Sequence, residues 1–142
     1  MSRSPKTLST AWLTKQHACA EGIAWFKAQP QSKPVAVLRA LIADGKLAWA
    51  NWLIVRVMTY RQYVAYAIYA AEQGLPQYEQ RYPDDPRPRQ AIEAARACLK
   101  HPSATKKAAA SWAAAAASWA AAGAAMREKI LQYGLGLLEG AE

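Results

Sequence analysis

Turn-forming residues are scarce: 142 residues contain only 7 Gly and 8 Pro, and phenylalanine occurs once. So few cannot serve the many turns of a β-sandwich. The Gly-rich turn that follows a β-branched strand in a nucleotide-binding α/β domain is missing as well. Two cysteines, Cys19 and Cys98, lie far apart, with no C-x-x-C and no histidine at ligand spacing. They read as two free buried thiols, a single disulfide being the other reading. No five like charges run together, so a basic nucleic-acid tail is excluded. The opening segment MSRSPKTLST lacks an apolar core, so no signal peptide is expected and the cytoplasm is the expected compartment. P-loop, G-x-S-x-G, H-E-x-x-H and EF-hand patterns are all lacking, and the expectation is a protein without catalysis, cofactor or metal.

Alanine dominates what is there. The apolar share is 53%, yet 33 residues are alanine, leaving six Trp, seven Tyr and a scatter of Leu, Ile and Val to fill a core. Alanine has the highest helix propensity and a poor strand propensity. The expected fold is all-α: one helical bundle over residues 1–142, with 1–7 as a disordered tail. Eighteen Lys and Arg against ten Asp and Glu give a net charge of +8. That excess favours phosphate, anionic lipid or an acidic protein surface as a partner. Residues 108–125 carry no charge over 18 positions, the length of a membrane span. Only Trp112 and Trp119 are strongly apolar there, so a tightly packed helix is the better reading.

Punctuation by Pro, Gly and Asp divides the chain into six expected helices. The first covers about 8–28, capped by Ser9 or Thr10, and includes His17 and Cys19. The second, 34–43, opens on Pro34 and stops at Asp44-Gly45. The third, 46–57, is apolar around most of its circumference and should be central. The fourth, 59–80, carries tyrosines at 60, 63, 66 and 69, with Val64, Ala67, Ile68 and Ala71 on its tighter face. Gly74 and Pro76 should kink or break it. Asp85 is the expected N-cap of the fifth, with Pro86 and Pro88 at N1 and N3, and the helix closes at His101-Pro102. The sixth should run from about Ser103 to Leu138. Its heptad seam comprises Trp112, Trp119, Met126 and Tyr133, with Ala116, Gly123, Ile130 and Leu137 four residues after each. Trp112 and Trp119 are expected in the core. A surface seam would instead make the chain a homo-oligomer.

Few side chains invite chemistry. A His17–Cys19 pair is disfavoured because residues two apart on a helix diverge. Asp84 and Asp85 could be read as an acid–base pair or a Mg²⁺ site, and a helix start explains both more simply. Tyrosines beside Arg61 could stack on single-stranded nucleic acid, the alternative being packing residues with hydroxyls at the rim. Tyr82, Arg87 and Arg89 suit recognition of a protein surface, since Tyr and Arg are favoured interface anchors. Lys106 and Lys107 would add electrostatic steering.

Three stretches carry a resemblance: HACAEGIAWFKAQ (17–29), LAWANWLIVRV (47–57) and LPQYEQRYPDDPRPRQAIEAARACL (75–99). Its strongest element is YPDD-x-RPR-x-AIEAAR at 82–96. Together with the Ala-rich tail and its periodic aromatics, they resemble the Imm5-like immunity proteins of bacterial polymorphic toxin systems, which also occur in phages. The resemblance implies an all-α, non-enzymatic inhibitor that neutralises a protein effector by stoichiometric binding. The effector would be a toxin or, for a phage-borne anti-defence protein of the anti-CRISPR type, a host nuclease complex that contains nucleic acid. The charge excess supports the alternative, a basic nucleic-acid-binding accessory protein.

Overall fold

A computed structural model describes residues 5–100, 118–119 and 122–140. These residues form seven helices and no strand: α1 (Thr10–Lys15), α2 (Ala20–Lys27), α3 (Pro34–Ala43), α4 (Leu47–Val57), α5 (Tyr60–Arg81), α6 (Arg87–Lys100) and α7 (Ala124–Gly140). The all-α expectation holds.

Local chemistry sets the boundaries. Ser9 caps α1 by accepting the Trp12 N–H at 3.1 Å. Pro34 opens α3, where its missing N–H leaves no helical bond unmade. Thr59 and Gln62 form a reciprocal capping box at the start of α5. Gly45 ends α3 in the left-handed region at φ 72°; its N–H reaches Ile42 O, and the Lys46 N–H reaches Leu41 O.

The same C-terminal motif divides the first expected helix into two. His17 takes φ 64°, its N–H donates to Thr14 O, and the Ala18 N–H donates to Leu13 O at 2.9 Å. The chain therefore turns at 16–19, and Cys19 becomes the N-cap of α2. It is exposed rather than buried, and its Sγ accepts the Gly22 N–H at 3.4 Å. The expected buried thiol at 19 is thus corrected, because the residue stands outside a helix and not within one. The side chain of Cys98 lies outside the described residues.

Two further expectations change. Helix α5 runs unbroken through Gly74 and Pro76 to Arg81. The proline removes one helical hydrogen bond. Ion pairs from Glu72 to Arg96 and from Glu79 to Arg89 bind α5 to α6 on either side of it. The expected sixth helix does not continue through Ala122 and Gly123, which are non-helical; α7 starts afresh with the Arg127 N–H on Gly123 O. That break interrupts the heptad seam: Ile130 of the seam is buried and Met126 and Leu137 pack half-buried against the core, whereas Tyr133 is exposed. The buried face of α7 is Ile130, Leu131, Gly134, Leu135 and Leu138. Trp119 is half-buried at the core margin, with the Arg127 guanidinium 5.2 Å from its ring. Trp112, Ala116, His101 and most of 108–125 lie outside the described residues. No described helix is long and apolar enough to cross a membrane.

Two apolar clusters result. The larger joins Leu8 and Leu13, Val37, Leu38 and Leu41 of α3, Leu53, Ile54 and Val57 of α4, Tyr66 and Ala70 of α5, and Ile130, Leu131 and Leu135 of α7. The smaller joins Val64, Ile68 and Ala71 of α5 to Ile92 and Ala95 of α6. Thus α5 contributes to both, through opposite sides. Tyr66 is 3% exposed, and its hydroxyl donates to Asn51 Oδ1 at 2.8 Å, satisfying the one polar atom that it buries.

Gly134 permits the closest approach in this core. A Cβ there would lie 2.6 Å from Ile54 Cδ1 and 2.8 Å from Tyr66 Cε1. The Tyr66 ring is held by its hydroxyl and cannot yield. Gly134→Ala is expected to cost about 1–3 kcal/mol by overpacking. Gly136→Ala, two residues on and facing open space, should stabilise by up to about 1 kcal/mol by raising helix propensity. Urea denaturation of the pair checks this; equal effects would contradict the packing.

Candidate functional site

The α5–α6 hairpin is cross-linked along its length. At its open end Arg61 donates to Leu99 O at 2.8 Å, midway Arg96 pairs with Glu72, and near the turn Arg89 pairs with Glu79 through two hydrogen bonds of 2.6 and 2.7 Å. The turn, 82–86, is organised by Asp85. Its carboxylate accepts the Arg87 guanidinium twice, each at 2.8 Å, the Arg87 backbone N–H at 3.1 Å and the Tyr78 hydroxyl at 2.5 Å.

Asp85 therefore does the work of a helix-start residue, but α6 begins at Arg87, one position later than expected, and Pro88 falls at its second residue. Four donors stabilise the charged carboxylate. The Arg87 guanidinium first, then the Tyr78 hydroxyl and the Arg87 N–H, hold Asp85 far below the usual carboxylate range. The hydrogen bond to Asp85 pushes the Tyr78 phenol up, and Arg89 pulls Glu79 down. Tyr78 stays a neutral donor, which makes this cluster a structural lock.

Beside the lock lies a cleft of about 400 Å³. Leu75, Pro88 and Met126 form its apolar walls, and Tyr78, Arg81 and Tyr82 its rim. Tyr82 is 48% exposed; its ring sits 5.0 Å from Tyr78 and 5.7 Å from the Arg81 guanidinium. A second cavity, about 320 Å³ and almost wholly apolar, lies among α1–α4 and is walled by Trp25, Phe26, Trp49 and Trp52.

Of the residues expected to meet a partner, Tyr82 is at the cleft rim. Arg87 and Arg89 stand on the first turn of α6, exposed yet already paired with Asp85 and Glu79. Lys106 and Lys107 lie outside the described residues. Arg81 was not anticipated; its only sequence signal is its position beside Tyr82. The tyrosine stripe on α5 is not an open stacking surface. Tyr66 is core, and Tyr69 is covered by Tyr133, ring centroids 4.0 Å apart and planes within 7°. Asp84 is exposed. Among the described residues no three His, Cys, Asp or Glu side chains gather to hold a metal.

The hairpin is thus cross-linked between its helices and carries a charged and aromatic tip. Residues 54–128, which span α5, the turn and α6, match the family described as Imm-5 like putative immunity protein. The chain belongs to that family. No curated protein and no solved structure matches it significantly.

The Asp85 lock should be visible in acid. A depressed carboxylate contributes stability above the ordinary aspartate value, near pH 4, and loses it as pH falls through its own lower value. Asp85→Asn should lower the urea midpoint at pH 7, and its deficit should shrink as pH drops below about 4. A deficit constant into acid would contradict the lock.

Proposed function

We propose that the protein is the immunity partner of a bacterial toxin and neutralises it by forming a stoichiometric complex, without catalysis of its own. The observation that carries this reading is the family match over 54–128, which takes in the whole hairpin and its exposed tip. The chemistry of the tip supports it. Asp85 and Glu79 are tied to Arg87 and Arg89 in pairs that stabilise one geometry, while the Tyr82 ring, the Arg81 guanidinium and the Asp84 carboxylate stay exposed beside the cleft, and Tyr and Arg are favoured interface anchors.

An anti-defence inhibitor of the anti-CRISPR type would use the same mode of binding against another effector, and the family match favours the toxin. Nucleic-acid binding is the weaker reading, because two of the four tyrosine rings at 60, 63, 66 and 69 are withdrawn from a stacking surface. Co-expression of this chain with its cognate toxin should restore growth. Nuclease-treated material should then contain a complex of fixed stoichiometry by light scattering. Persistent growth arrest, or protection without a complex, would contradict the reading.

A further inference from the structure

The arginines of the hairpin fall into two groups. Arg61, Arg87, Arg89 and Arg96 each have an acceptor in the protein: Leu99 O, Asp85, Glu79 and Glu72. Arg81 has none among the described residues. Among the described residues its ring contact is Tyr82, whose centroid lies 5.7 Å from the guanidinium. It is exposed, it ends α5, and it stands on the rim of the 400 Å³ cleft. A guanidinium left without an anion at the mouth of a concave site is a receptor for one, and its planar fork suits a carboxylate held by two bonds.

The walls narrow the choice of anion. Leu75, Pro88, Met126 and the Tyr82 ring offer an apolar lining for an aliphatic stem, while Gln77 adds an amide. At the tip Glu79, Asp84 and Asp85 balance Arg81, Arg87 and Arg89 in number, so the cleft mouth offers one local cation and not the run of positive charge that a polyanionic backbone requires. A single negative side chain on a protein surface meets the cation with one charge and the walls with its methylenes.

We propose that the cleft at the α5–α6 turn receives a Glu or Asp side chain of the partner protein, its carboxylate on the Arg81 guanidinium and its stem against the Tyr82 ring. The site deepens the toxin-binding reading and rests on it. Arg87 and Arg89 hold the turn in shape and contribute to the complex through that geometry.

The closing experiment has two arms. In the first, the full chain with ¹⁵N-labelled arginine side chains is titrated with the blocked peptide acetyl-Leu-Glu-Tyr-amide, its Gln counterpart and a short single-stranded RNA. The Arg81 Nε–H resonance should move with the Glu peptide and stay in place with the Gln peptide. No movement, equal movement with both peptides, or movement with RNA alone would overturn the proposal. In the second arm, Arg81→Glu is compared with Lys27→Glu, which makes the same charge change on exposed α2. Arg81→Glu should weaken the toxin complex about tenfold more than Lys27→Glu. Equal weakening would show that only overall charge matters and would overturn the site. Arg81 is exposed with one ring contact, so its variant should keep the wild-type melting curve. If no toxin binds the wild-type chain, the immunity reading fails, and the peptide arm alone decides the cleft.

Discussion

The structure depends on α5 being buried along two sides at once. Val64, Ile68 and Ala71 face α6, while Tyr66 and Ala70 face the larger core with α4 and α7. A helix in that position needs small residues where its neighbours approach and one large side chain to fill what they leave. The alanines at 67, 70 and 71 supply the first, and Tyr66 the second. Gly134 completes the arrangement from α7 by leaving room for that ring. Close packing of this kind tolerates little adjustment, because interiors are as dense as molecular crystals. The hairpin tip is fixed by extension: α5 is held in the core, α6 is cross-linked to α5, and the turn between them is locked by Asp85.

Charge is used in two ways. Along the hairpin, arginines are matched to carboxylates across helices, which fixes the register of α6 on α5. Exposed pairs of this kind contribute little individually, and here two act on one pair of helices, with the Arg61 hydrogen bond to Leu99 O as a third tie. At the tip the matching stops with Arg81. The chain's net charge of +8 supplies long-range attraction, and among the described residues the Arg81 guanidinium beside the Tyr82 ring has no carboxylate partner.

Much of the fold was legible in the sequence because its signals are local. The starts at Ser9, Pro34 and Thr59 and the stop at Gly45 follow from side-chain and backbone hydrogen bonding within a few residues. What was not legible depended on distant partners or on backbone states that composition does not announce. The left-handed turn at His17 carries no glycine to mark it. Pro76 sits inside a helix because contacts with α6 on either side sustain it. The heptad seam in the C-terminal segment was a true periodicity, but the non-helical Ala122 and Gly123 interrupted it, and the buried face beyond them keeps Ile130 and leaves out Tyr133. The site was half legible. Tyr82 could be named from residue type; the engagement of Arg87 and Arg89 by Asp85 and Glu79, and the resulting isolation of Arg81, appear only when α5 and α6 are side by side.

The central claim is that a locked hairpin tip meets the partner, and hydrogen–deuterium exchange of the free chain and of its toxin complex tests it most directly. The account predicts new protection at residues 78–88, with exchange in α3 and α4 unchanged. Protection confined to the apolar cavity of α1–α4, with 78–88 exchanging as in the free chain, would contradict it.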